Sequence, residues 1–178
     1  MSEVGYAHAV NIDRRHVLAA MAALPVAACA GAGGEVLSWW HAPLGAGRAV
    51  LSDDEFAFMN AVAEAWMPRG GVPTLSGKDA GLAAFVDAVI ARMPEPERSL
   101  VRLLFNALDD LPLVSHARHF RSLELDDRVE VLAQWVDSPS PNIRQAIRAV
   151  LALLSEGWTQ HPDVIEVIRP MFPCGVGP

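Results

Sequence analysis

Two cysteines are all this chain has, at positions 29 and 174, so a disulfide framework cannot be what holds it together. Short runs of alternating β-branched residues bounded by turns are missing as well, which argues against a sheet. There is no internal repeat. No G-x-G-x-x-G follows a strand, and there is no phosphate-binding Walker loop, no C-x-x-C-H haem attachment and no H-E-x-x-H, so the common signatures for nucleotide, haem and zinc chemistry are lacking. Basic residues are outnumbered, 14 Lys and Arg against 21 Asp and Glu. A net charge of −7 speaks against nucleic-acid binding and against electrostatic adhesion to an anionic membrane, both of which rest on a basic footprint.

What is present begins with Arg14 and Arg15. They stand just before an apolar stretch, Val17 to Ala28, that ends in the small residues Ala27-Ala28-Cys29-Ala30-Gly31. This stretch falls well short of the roughly 20 residues that span a bilayer. An arginine pair, a short apolar run and a small-residue cleavage site, in that order, are the architecture of a twin-arginine export signal. The expectation is a signal over residues 1–30, read by the twin-arginine translocase, and a periplasmic destination. Two processing routes stay open. Ala28-Cys29-Ala30 fits an A-x-A site that would release a soluble chain beginning at Gly31. Val26-Ala27-Ala28-Cys29 fits a lipobox that would leave Cys29 lipidated and membrane-associated.

Removal of 30 of the 178 residues leaves 148, enough for one domain with a substantial core. Two basic and two acidic residues go with the signal, so the charge stays at −7. Cys174 is then the remaining thiol unless Cys29 is retained. In an oxidising compartment it either stays free or pairs with another chain.

Residues 31–50 read as a tether, since Gly31, Gly33, Gly34, Gly45, Gly47 and Pro43 interrupt any periodicity. Trp39 and Trp40 lie inside it. Adjacent indoles in such a segment serve either as partner contacts, where Trp is favoured, or as anchors onto the chain's own domain. From position 51 to 170 the pattern is helical, and residues 171–178 form a Pro/Gly/Cys tail.

Ser52-Asp53-Asp54-Glu55 has the form of a capping box, followed by Phe56, Met59, Val62, Ala63 and Trp66 at the spacing of one buried helical face. Pro68 ends that helix. A second is expected from about Asp79 to Arg92 along Leu82, Phe85, Val86, Val89 and Ile90. Pro94 and Pro96 open a third, through Leu100, Leu103, Leu104, Ala107 and Leu108. One or two helical turns are expected between Leu113 and Leu123. A fourth clear helix runs from Asp126 to Val136, buried through Val129, Leu132, Ala133 and Val136. Ser140-Pro141 starts a long helix through Trp158, and a short one spans Asp163 to Ile168. The fold class is therefore all-α, a single-domain bundle of about five to seven helices.

Candidate chemistry is thin. His116 and His119, three apart, would share one face of a helix as a metal pair, but a structural zinc takes four ligands, so no metal is expected. Asp53-Asp54 and Asp126-Asp127 suit helix starts, where carboxylates complement the dipole, and Asp109-Asp110 reads as a solvated helix end. Cys174 has no neighbouring base to make it a nucleophile. No catalytic residue and no cofactor site is assigned to this chain, which points to a subunit that escorts, stabilises or anchors another protein.

Several segments, taken in order, resemble the gluconate 2-dehydrogenase subunit 3 family, the small subunits of membrane-associated flavoprotein dehydrogenases. They are Arg14-Arg15 with its apolar run, Leu51-Ser52-Asp53-Asp54-Glu55, Ala61-Val62-Ala63-Glu64-Ala65-Trp66-Met67-Pro68, and Lys78-Asp79-Ala80-Gly81-Leu82-Ala83-Ala84-Phe85-Val86-Asp87. His119-Phe120-Arg121-Ser122-Leu123, Asp127 to Leu132 and Trp158-Thr159-Gln160-His161-Pro162 complete the set. The resemblance implies a large FAD-containing partner of the glucose-methanol-choline type, which oxidises an alcohol group on a sugar, sugar acid or sterol-like substrate. It also implies a cytochrome c subunit as electron acceptor. The flavin chemistry would belong to the partner, and the small subunit would act as an escort carrying the export signal. The ending Met171-Phe172-Pro173-Cys174-Gly175 departs from the Gly-Tyr type of ending in many members. A free-standing periplasmic lipoprotein with a scaffolding or ligand-binding bundle is the alternative.

Overall fold

The computed structural model describes Gly45 and residues 47–171. Among these residues there is no strand. The order is α1 (Asp53–Trp66), α2 (Leu82–Ala91), α3 (Glu95–Asp110), α4 (Leu113–His116), a 3-10 turn (Phe120–Ser122), α5 (Leu125–Val136), α6 (Pro141–Gln160), α7 (Pro162–Ile168) and a closing 3-10 turn (Arg169–Met171). The all-α reading holds. Among the described residues no helix is long and apolar enough to cross a membrane.

α1 is the central element. The box at its start is formed in both directions: Glu55 N–H donates to Ser52 Oγ at 3.3 Å, and Ser52 N–H donates to Glu55 Oε2 at 2.8 Å. Two orphan amides of the first turn are satisfied this way. Beyond it Phe58, Met59, Val62 and Ala63 are fully buried. They face α2, α3, α5 and the first 3-10 turn, while α6 closes the bundle against α2 and α5 and carries α7.

An aromatic chain ties these elements together. Phe58 of α1 lies 6.0 Å from Phe105 of α3 and 5.8 Å from Phe120 of the 3-10 turn, the latter edge-on. Phe120 in turn stacks on Trp135 of α5 at 5.0 Å. Each such pair adds about 0.5–1.5 kcal/mol to what burial alone provides.

Close packing also explains a glycine inside α6. A Cβ at position 157 would sit 2.7 Å from a ring carbon of Phe85, so the residue that weakens the helix by about 1 kcal/mol is what lets α2 lie against α6.

The expected faces need correction on α1, α3 and α5. Phe56 is only half-buried, its ring covered by the Arg48 guanidinium at 3.2 Å. Trp66 is 43% exposed, its indole N–H donating to Ser155 Oγ of α6 at 3.3 Å. On α3 the buried residues are Phe105, Leu108 and Asp109, while Leu100, Leu103, Leu104 and Ala107 are half-buried. On α5 the buried residues are Val131, Leu132 and Trp135, whereas Val129 and Ala133 are exposed. The large indole of Trp135 and its stacking on Phe120 turn the helix, so of the expected face Leu132 is buried, Val136 is half-buried against the core, and the other two residues face outward.

α2 begins three residues later than expected because Asp79 closes a turn. Its Oδ2 accepts from Ser76 Oγ at 2.7 Å, Ser76 N–H at 3.0 Å and Arg69 Nη2 at 2.7 Å. Gly81 then adopts φ +68° immediately before the helix, a conformation that suits glycine. Ser140 occupies the cap position of α6 with Pro141 first in the helix, but its side chain makes no capping bond.

The hydrogen bonds from the Ser76 hydroxyl and amide, with Arg69, hold the Asp79 carboxyl down to about 2, below its ordinary 3.8. A depressed native value means that the unfolded chain takes up the proton first as pH falls. The contribution of Asp79 is then present above pH 3.8 and is lost as pH falls through about 2. Carboxyl NMR should find the Asp79 midpoint near that lower value, and Asp79→Asn should flatten the same stretch of the acid-unfolding curve. A midpoint near 4 would show that the turn does not hold this carboxylate.

Candidate functional site

Polar groups that the sequence scatters over 75 residues converge where α3, the first 3-10 turn and α5 meet α1. At one end Glu55, 2% exposed, does more than cap. Arg102 Nε of α3 donates to both of its oxygens at 3.0 Å, and Asn106 Nδ2 donates to Oε1 at 2.9 Å. Asn106 Nδ2 also donates to the Arg102 carbonyl at 2.8 Å. A carboxylate this buried is tolerable because every oxygen is met by a donor.

Asp109, near the end of α3, is buried as well, with 2% of its surface exposed. Its Oδ1 accepts the backbone N–H of Arg121 at 2.9 Å, and its Oδ2 is paired with the Arg121 guanidinium. Arg121 reaches Asp54 of α1 at 3.4 Å through Nη2. The Arg121 carbonyl accepts from Arg128 Nη2 of α5 at 3.1 Å, and Arg128 Nη1 meets Glu64 of α1 at 3.0 Å. Burial pushes the Asp109 carboxyl above its ordinary value, although the Arg121 amide and guanidinium and His119 pull the other way.

This corrects the expectation of a solvated Asp109-Asp110 end. Asp110 does face solvent, but the next side chain round the helix does not. The two histidines are corrected too. α4 stops at His116 because Ala117 takes φ 52°, so the pair does not share a helical face. His116 Nδ1 lies 2.8 Å from Ser115 Oγ, whereas His119 Nδ1 lies 2.9 Å from Asp110 Oδ1 and 3.8 Å from Asp109 Oδ2.

Asp109, Asp110 and His119 thus place three ligand-type atoms within 4.8 Å of one another. The donor types suit a divalent cation, but the Arg121 guanidinium already holds the Asp109 oxygen that such an ion would need. The cluster is an ion-pair network, and its chemistry is to lock the 3-10 turn onto α1 and α3.

A third buried carboxylate has no counterpart among the expectations from sequence. Asp87 of α2 accepts three successive backbone amides from the segment leading into α1. Its Oδ2 takes Ala49 N–H at 2.7 Å, and its Oδ1 takes Val50 and Leu51 N–H at 2.9 and 2.8 Å. Val50 and Leu51 are buried in the core. The signal was present: Asp87 follows Ala83 by four and precedes Ile90 by three, which places it on the buried stripe of an otherwise apolar helix. Arg14, Arg15, Cys29, Ala30, Trp39, Trp40 and Cys174 lie outside the described residues.

The architecture is that of a helical scaffold whose buried charges join helix to helix. The family model for gluconate 2-dehydrogenase subunit 3 matches residues 53–167. The chain belongs to that family, as an accessory-type subunit, and membership implies a larger dehydrogenase partner. Comparison with curated proteins and with solved structures gave no match.

Proposed function

We propose that this chain is the non-catalytic small subunit of an exported, FAD-dependent alcohol or sugar dehydrogenase. In this reading it escorts and stabilises a large flavoprotein of the glucose-methanol-choline type through twin-arginine export to the periplasm. The family match over residues 53–167 carries the proposal. Two features support it. Arg14-Arg15 and the apolar run behind them supply a route used by proteins that fold before export, and the buried carboxylates of the bundle are tied to arginines and amides as a scaffold requires. FAD would reside in the partner, and a cytochrome c subunit would take the electrons.

The test is fractionation of cells that make both subunits. With Arg14→Lys and Arg15→Lys together, the large subunit should shift from the periplasmic to the cytoplasmic fraction, with loss of dye-linked dehydrogenase activity outside the inner membrane. Unchanged periplasmic recovery of the large subunit would refute the escort role.

A further inference from the structure

α5 carries more apolar surface than the bundle covers. Leu125, Val129, Leu132 and Val136 follow one another by four, three and four residues, the spacing of a single seam along a helix. The second half of this seam is covered: Leu132 is 4% exposed and Val136 packs against the core. The first half is not, with Leu125 at 37% and Val129 at 43% exposed. Ala133 is exposed one turn beyond Val129.

The border of this strip is acidic. At 100° per residue, Asp126, Glu130 and Asp137 fall along its outer edge, and all three are exposed. The helix has one basic residue, Arg128, and it is turned inward to Glu64 and the Arg121 carbonyl. Single exposed apolar residues are ordinary on a protein surface. An aligned group with a charged rim has the composition of an interface, apolar at its centre and polar at its edge.

We infer that the Leu125–Val129–Ala133 strip of α5 is a docking surface for the larger dehydrogenase subunit. That partner meets it with an apolar ridge flanked by lysine or arginine. The inference rests on the accessory-subunit reading above. A second copy of this chain is a poor occupant, because the pairing would set two acidic borders, on chains of net charge −7 each, against one another.

The test is co-purification of the tagged full chain with its co-expressed dehydrogenase subunit. Leu125→Glu with Val129→Glu should lower recovery of the large subunit at least about tenfold while the helical circular dichroism stays unchanged, since a charge at the centre of an interface removes its main contact. Val114→Glu, at a position 92% exposed on α4, should leave recovery as it is. Glu130→Lys stays on the rim and does not threaten the fold. It should weaken capture several-fold at low salt, and the difference should fade as salt rises.

Wild-type-like recovery by both the double variant and Glu130→Lys overturns the inference, and so does an equal loss with Val114→Glu. If the wild-type chain captures no dehydrogenase subunit, the accessory-subunit reading itself fails. A wild-type dimer abolished by the double variant would assign the strip to self-association instead.

Discussion

Replacing Arg121 with alanine should destabilise the folded chain by about 3–5 kcal/mol, the range for removing one partner of a buried ion pair. The cost comes from what is left behind. Asp109, 2% exposed, would keep the Arg121 amide but lose the guanidinium that balances its charge, and Asp54 would lose its link to the 3-10 turn. Such a loss is a large part of the roughly 5–15 kcal/mol that a domain has in total. Urea unfolding followed by circular dichroism would measure it.

The burial of Asp109 also sets a pH dependence. Burial already holds the Asp109 carboxyl above its ordinary value in the folded chain. A raised native value means that the folded state keeps the proton where the unfolded state has released it. The Asp109 contribution is therefore fully present below the unfolded value near 3.8 and is lost as pH rises through the folded one. Without Arg121 the folded value moves higher still. The gap between Arg121→Ala and wild type should accordingly be widest near neutrality and narrow as the solution is acidified towards pH 4. Arg121→Met with Asp109→Leu should recover part of the loss, because no charge is then left unbalanced, while the residue-121 amide, which now donates to Asp109 Oδ1, goes without its acceptor. A single variant within about 1 kcal/mol of wild type at pH 7 would mean that water, not Arg121, compensates Asp109.

Local rules in this chain are readable wherever a residue's effect is confined to its own turn. The Ser52–Glu55 box, the prolines at the starts of α3 and α6, and the break after Trp66 are all of this kind, and all appear where expected. So does the stripe of α2. The face of α5 departs from the expected one because its apolar arc is wider than one neighbour can cover. Periodicity finds the arc, but only the stacking of Trp135 on Phe120 decides which part turns inward. The same width leaves the uncovered strip.

The polar network was hidden for a different reason. Glu55 and Arg102 are 47 residues apart, and Glu64 and Arg128 are 64 apart. No local pattern pairs them. Asp109 and Asp110 look alike in sequence, and one step round α3 separates a buried ion pair from a solvent-facing carboxylate. The family resemblance is legible because it rests on the order of short segments, which needs no knowledge of individual contacts, and the family model matches residues 53–167.

Asp87→Ala should cost about 3 kcal/mol or more, and Asp87→Asn about half as much. Three amides lose their acceptor in the alanine variant. Those of Val50 and Leu51 are buried, and a buried donor left without a partner costs about 1–3 kcal/mol. Ala49 lies at the surface, where water can take over its bond. Asparagine keeps the shape and one accepting oxygen, enough for the pair at Oδ1. Its NH2 would then face the Ala49 amide, donor against donor, in place of the 2.7 Å bond now made there, and the charge assistance is lost. Hydrogen exchange separates this from a general weakening. The Val50 and Leu51 amides should lose protection in Asp87→Ala well before the centre of α1 does, because the clamp holds the segment leading into that helix. If protection fell uniformly, Asp87 would be acting on the core as a whole. A loosened clamp should leave the bundle folded and residues 49–51 poorly held against α2.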